Sequence, residues 1–90
     1  MTEVTDEAVL VLYAHNRPGV LAKVASAFYR RGINIVALRA SPTCRPDESE
    51  IEIHAVAPPG EIERVAAGLR NLIDVLSVES RAHAETAVSE

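Results

Sequence analysis

The sequence predicts an α+β domain of the ferredoxin-like βαββαβ class, a four-stranded antiparallel sheet with two helices on one face. Three observations carry that expectation. Apolar or alternating runs of strand length recur in four places, two stretches repeat their apolar residues at helical spacing, and the order is strand, helix, strand, strand, helix, strand. Right-handed crossovers between parallel strands then leave both helices on the same side of the sheet. At 90 residues the chain has room for one domain.

The first strand is residues 8–14, AVLVLYA, closed by the punctuation HNRPG. Apolar on both faces, it belongs in the middle of the sheet. From Val20 the period lengthens: Leu21, Val24, Ala25 and Phe28 fall on one side of a helix, with Lys23, Ser26 and Arg30 on the other. That helix stops at Arg30-Arg31-Gly32, where cations suit the negative end of the dipole and glycine accepts a left-handed conformation. Residues 33–40, INIVALRA, form the second strand, and SPTCRPDES reads as a loop. In residues 50–55 the alternation is strict, with Ile51, Ile53 and Ala55 on one face and Glu50, Glu52 and His54 on the other. Pro58-Pro59-Gly60 precedes a second helix in which Ile62, Val65, Ala66, Leu69, Leu72 and Ile73 repeat at helical spacing, and residues 75–79 make the last strand. The domain is expected to span residues 8–80, after an extension of residues 1–7 and before a tail, residues 81–90, that has no sustained pattern and is expected to fray.

Composition excludes several classes. A formal charge of -4 repels a polyphosphate, so nucleic acid is not an expected partner. The single cysteine, Cys44, allows neither an intrachain disulfide nor a thiolate metal cage, which suits a reducing cytoplasm. No stretch approaches the roughly 18 apolar residues of a membrane span, and the acidic start MTEVTDEA has the wrong charge for a signal peptide. The expected location is cytoplasmic. A domain this small buries only about 60 to 65% of its unfolded surface, so it gains from a symmetric partner. With both helices on one face, the other sheet face stays open. There the third strand presents Glu50, Glu52 and His54, and the first presents either Leu10 and Leu12 or Val9, Val11 and Tyr13. An apolar stripe among charges suggests a docking surface for another subunit.

Chemistry is most legible in the turn Asn16-Arg17-Pro18-Gly19-Val20-Leu21, between the first strand and the first helix. A helix N-terminus leaves about four N–H groups unpaired, and Ser, Thr, Asp or Asn normally caps them. Here Arg17, Pro18 and Gly19 offer no cap, so the amides near Gly19, Val20 and Leu21 are candidates for an external anion such as a carboxylate. Gly19 also lets a ligand approach the backbone closely. The plain alternative is that Pro18 and Gly19 only make the corner. Asn34, at the start of the second strand, carries a donor and an acceptor and can meet both the ammonium and the carboxylate of an α-amino acid. It reads equally well as a turn asparagine after Gly32. If a two-fold dimer joins second strands or first helices, Asn34 of one chain approaches the Asn16 turn of the other.

The run Asn-Arg-Pro-Gly-Val-Leu-Ala-Lys-Val from Asn16, then Phe28, Arg30-Arg31-Gly32, Asn34-Ile35, Pro42-Thr43, Pro46, Ser49, Ile53 and the ending Leu72-Ile73-Asp74-Val75-Leu76-Ser77-Val78 resembles the ACT domain that opens the small regulatory subunit of acetolactate synthase, also called acetohydroxyacid synthase. The resemblance covers roughly residues 8 to 80. It implies the ferredoxin-like fold, a homodimer paired edge to edge into a longer sheet, and a branched-chain amino acid, valine first among them, bound at the dimer interface. The family's effector contacts fall on Asn16, Gly19, Val20 and Leu21 of one chain and on Asn34 and Ile35 of the other. The resemblance further implies a non-catalytic chain that activates and feedback-regulates a large catalytic subunit. Thiamine diphosphate, Mg and FAD would belong to that partner, and no cofactor to this chain. Two departures stand out: small subunits of this kind often carry a second, C-terminal domain, and Val36 stands where relatives commonly have glutamate. The first suggests a short, single-domain variety or a free-standing ACT sensor serving another pathway.

Other constellations carry less. His15, His54 and His83 are too far apart in sequence to make a ligand-spaced pair, and Cys44 beside Arg45 has no base near it in sequence. No metal site or catalytic residue is expected. Glu50 and Glu52 read as a solvated strand face. An acylphosphatase-like enzyme of the same topology would draft Arg17 to hold phosphate and Asn34 to place water, but that family's glycine-rich anion loop is missing. An RNA-binding module of this topology needs exposed sheet aromatics, which Tyr13 alone does not supply.

Overall fold

The structure is a computed structural model and describes residues 5–81. Its elements are β1 (Asp6–His15), α1 (Val20–Arg30), β2 (Asn34–Pro42), β3 (Glu48–Ala57), α2 (Glu61–Arg70) and β4 (Val75–Arg81). The sheet is antiparallel, as the element order predicts, and its strand order is β2-β3-β1-β4. Strands run longer than their apolar cores. Asp6 and Glu7, assigned by sequence to the extension, are the first two residues of β1, and the loop read as SPTCRPDES shrinks to a short hairpin connection as β2 and β3 zip toward it. The rest of the expected extension and tail lies outside the described residues.

β1 is central, and its two faces have different covers. Ala8, Leu10, Leu12 and Ala14 join Val24 and Phe28 of α1, Ile51, Ile53 and Ala55 of β3, and Ile62, Val65 and Leu69 of α2 in one core between sheet and helices. Val9, Val11 and Tyr13 therefore take the open face, which settles the alternative left by the sequence. Val11 is still only 1% exposed. It stands between Glu52 on β3 and Glu79 on β4, long charged residues whose stems cover an apolar neighbour while their carboxylates stay in water. The open face is thus a charged sheet with a short apolar centre. The domain's large exposed apolar residues are Leu21 and Tyr29 on α1, Val36 and Leu38 on β2, and Ile73 and Leu76 around the entry to β4.

The end of α1 follows the Arg-Arg-Gly reading. Gly32, at φ 70, lets its N–H reach the Tyr29 carbonyl (3.0 Å) and the N–H of Ile33 reach that of Phe28 (3.1 Å), the paired bonds of a Schellman motif. Ile33 thereby drops into the core with Phe28. α2 ends sooner than its periodicity suggests. The chain tightens at Asn71 and Leu72, whose N–H groups bond the carbonyls of Gly68 and Leu69 three residues back, and Val75 N–H closes a further turn onto Leu72. Ile73 leaves the helical face as a result and is 90% exposed, a correction to the sequence reading.

On the open face Glu52 accepts from Arg39 and pairs with His54. Hydrogen bonding to His54 and then to Arg39 holds its carboxyl below the ordinary carboxylate range. A carboxyl lowered on folding stabilises the native state above its unfolded value, and that contribution disappears as pH falls through the folded value. Glu52→Gln should therefore flatten part of the acid-side fall in stability, read as urea midpoints across roughly pH 5 to pH 3. In the core, Phe28→Ala should cost about 3–5 kcal/mol in the same measurement at neutral pH, because Phe28 is fully buried where α1 meets the sheet.

Candidate functional site

The site region grows out of the last pairs of β1. His15 donates its N–H to the Asp74 carbonyl (2.8 Å) on one side, and Asn16 donates its N–H to the Asp47 carbonyl (2.8 Å) on the other. The chain then turns sharply: Arg17 N–H bonds the His15 carbonyl (3.0 Å) and Val20 N–H the Arg17 carbonyl (3.2 Å). Pro18 has no N–H to satisfy, and Gly19 enters α1 at φ 86, a left-handed conformation that an L side chain adopts only with strain. Among the described residues no side chain caps this helix, and its first turn holds no acidic residue. Among the described residues the N–H groups of Gly19, Leu21 and Ala22 have no protein acceptor. Val20 differs from the sequence expectation in detail: its amide is spent on the turn and its side chain, 5% exposed, packs in the core.

α2 provides an internal control. It too starts after Pro-Gly, with Gly60 at φ 86, and Glu61 N–H bonds the Pro58 carbonyl (3.1 Å) just as Val20 bonds Arg17. Here, however, Asp6 Oδ2 accepts from Gly60 N–H at 3.2 Å, and Glu61 and Glu63 place further negative charge in the first turn. The same backbone geometry has thus taken a carboxylate from within the chain. At α1 the equivalent amide, that of Gly19, lacks one. The Pro-Gly repeat ahead of both helices, with acid after only the second, is legible in the sequence and is the signal that the single-turn reading missed.

Sequence reasoning also missed a charged cluster at the root of the turn. Arg17 Nη1 lies 3.4 Å from Asp74 Oδ1, and His15 Nδ1 lies 3.7 Å from the same oxygen. Both His15 Nδ1 and Asp74 Oδ1 are buried without a hydrogen-bond partner among the described residues. Beside them, between the first turn of α1 and the segment entering β4, opens a cavity of about 310 Å³ lined by Val20, Lys23, Leu72 and Asp74 among others. Its signal in sequence was Asp74 directly before β4, visible only once the strand order is known.

Asn16, Gly19 and Leu21 are exposed together at the turn. Asn34, exposed, and Ile35, half-buried, begin β2, where Asn34 pairs with Val56, itself opposite Glu7. They therefore sit at the other end of the sheet, roughly 25 Å from the turn along β1. One chain does not bring the two halves of the expected site together. The same separation keeps Arg17 and Asn34 from acting jointly on an acyl phosphate. Cys44 is exposed in the β2–β3 hairpin, His54 is paired with Glu52, and His83 lies outside the described residues. Among the described residues no three potential metal ligands cluster, and no helix is long and apolar enough to cross a membrane.

A βαββαβ domain whose Pro-Gly turn opens the first helix with unclaimed amides defines a recognisable class, and the chain belongs to it: it is a member of the ACT domain family, whose model matches residues 8–74. Within that family it is similar to acetolactate synthase small subunits. The probable small subunit of Archaeoglobus fulgidus is 42% identical over 71 residues, 79% of this chain and 43% of that protein. The isozyme 3 small subunit of Escherichia coli is 34% identical over 70 residues, 78% of this chain and 43% of that protein. The crystal structure of the small subunit from Thermotoga maritima matches with a TM-score of 0.73 at 31% identity, covering 82% of this chain and 46% of that one. The chain thus spans less than half the length of these relatives.

The internal control yields a prediction. Asp6→Ala should cost about 0.5–2 kcal/mol, the usual penalty for losing a helix cap, measured by urea unfolding.

Proposed function

We propose that this chain is the regulatory domain of an acetolactate synthase small subunit, binding a branched-chain amino acid, valine first among them, between two copies of itself. One observation carries the reading: the unclaimed amides at Gly19 and Leu21 and the Asn34-Ile35 pair lie at opposite ends of one sheet, so only a second chain can unite them.

β2 supplies the means. It is an edge strand, exposed along most of its length, and Val36 and Leu38 leave apolar surface there beside Leu21 and Tyr29 of α1. Antiparallel pairing of two β2 strands about Leu38 sets Asn34 of each copy opposite Pro42 of the other. Pro42 stands at the end of the sheet where β1 delivers the Asn16 turn. The effector carboxylate then accepts from the Gly19 and Leu21 amides at the positive end of α1. Asn16 and Asn34 flank it, the Asn34 carbamoyl oxygen accepting from the ammonium. Ile35, with Val36 beside it in a bulge, forms an aliphatic wall for a branched side chain. Val36 in place of a carboxylate makes that wall less polar.

An effector held by two chains favours the paired arrangement by its differential affinity, typically about 1 to 3 kcal/mol. That difference is what a catalytic subunit docked on the pair would sense. Thiamine diphosphate, Mg and FAD belong to that subunit in this reading, and none of the residues described above has a catalytic role.

Calorimetry with valine tests the site. Gly19→Asp should abolish detectable binding, whereas Gly19→Asn, equally tolerant of the left-handed backbone but uncharged, should retain it with weaker affinity. Equal binding by the two variants refutes the anion assignment. Asn34→Ala should raise Kd about tenfold or more, the cost of losing a hydrogen bond to a charged group. Leu38→Asp should yield monomers by light scattering and lose valine with them. Co-purification with the catalytic subunit separates this reading from a free-standing sensor, which would bind amino acid and retain no such partner.

A further inference from the structure

Among the described residues the sheet has two free edges, β2 and β4, and such a sheet invites strand addition at both, yet the two edges are treated differently. Hydrogen bonds along β1 alternate: His15 N–H goes to Asp74 on the β4 side and Asn16 N–H to Asp47 on the β3 side. Odd-numbered residues of β1 therefore bond toward β4 and even-numbered ones toward β3. Val78 stands opposite Leu12 and Ser80 opposite Leu10. Facing even-numbered residues, both turn their own N–H and C=O outward, to the free edge of β4. Register breaks between Tyr13 and Ala14, so the regular outward ladder of β4 amounts to Val78 and Ser80. Onto the Val78 carbonyl Arg70 Nη2 donates a part-buried hydrogen bond of 3.0 Å.

Arg70 is the last residue of α2, where its charge also suits the helix dipole. The bond to Val78 goes beyond that electrostatic role. On β2 the outward residues are Leu38 and Ala40, opposite Ile53 and Ile51, and among the described residues no side chain bonds their backbone.

We propose that Arg70 is an edge block. Its guanidinium occupies the carbonyl an incoming strand would need, and so confines strand addition to the β2 edge. The consequence is closure. Two self-complementary edges on one chain alternate into an open ribbon, whereas one edge gives a closed pair. The partner excluded is a second copy of this chain presenting its own β4.

Arg70→Ala and Arg70→Met test the block, the second keeping an unbranched apolar stem and good helix propensity. Light scattering of the full chain over a hundredfold range of concentration should give the unsubstituted chain a bounded mass. Both variants, at unchanged circular dichroism, should grow to at least twice that mass at the highest concentration. Adding Ser80→Pro, which deletes an outward N–H without breaking a bond to β1, should return the mass to that of the unsubstituted chain. Folded Arg70→Met with unchanged mass throughout overturns the proposal. So does association that Ser80→Pro fails to reverse, since it would then not use the β4 edge.

Discussion

A strand paired on both sides gives its neighbours alternate residues, and β1 is held under that constraint from Val9 to its end. Its final two pairs, His15 with Asp74 and Asn16 with Asp47, clamp the chain from both flanks just before it leaves the sheet. The turn that follows has no freedom in where it starts. Gly19 then has to reverse direction within a few residues, which its left-handed backbone allows. The position of the free amides over the sheet end, and hence what reaches them, descends from that clamp.

The two halves of the domain repeat one device with opposite outcomes. Each passes from strand to helix through Pro-Gly, each glycine takes the same backbone angle, and each first helical amide bonds a carbonyl three residues back. Asp6 completes the second copy. Among the described residues nothing completes the first. Fold stability is therefore served at α2, and under the function proposed above the equivalent donors of α1 serve an effector. The distribution of exposed apolar residues agrees: β2 and the neighbouring flank of α1 carry Leu21, Tyr29, Val36 and Leu38, which the domain does not use for its own core.

Much of this was legible in the residues, and the exceptions are instructive. The alternation in β3 and the apolar faces of β1 are local patterns, so the central place of β1 and the core followed from them. Gly32 was readable because the left-handed exit from α1 needs that residue type. Ile73 was misread because Leu72 and Ile73 prolong the helical period past the point where Asn71 tightens the turn; termination there is set by backbone bonding, which hydrophobic spacing does not encode. The split within the Asn16 turn was likewise invisible. Val20 looks like its neighbours in sequence, but only the fold reveals that its amide closes the turn while those of Gly19 and Leu21 stay open. The cluster of His15, Arg17 and Asp74 joins residues nearly sixty positions apart and required the strand order to be seen.

That cluster has a mechanical meaning. Neither His15 Nδ1 nor Asp74 Oδ1 has a hydrogen-bond partner among the described residues, so the group is held by charge, with the Arg17 guanidinium 3.4 Å from the Asp74 carboxylate. The exit of β1 and the entry to β4 are therefore tied by charge at the point from which the Asn16 turn is hung. Attraction at that separation fixes no bond angle, so the turn is leashed to the lip of β4 rather than bolted to it.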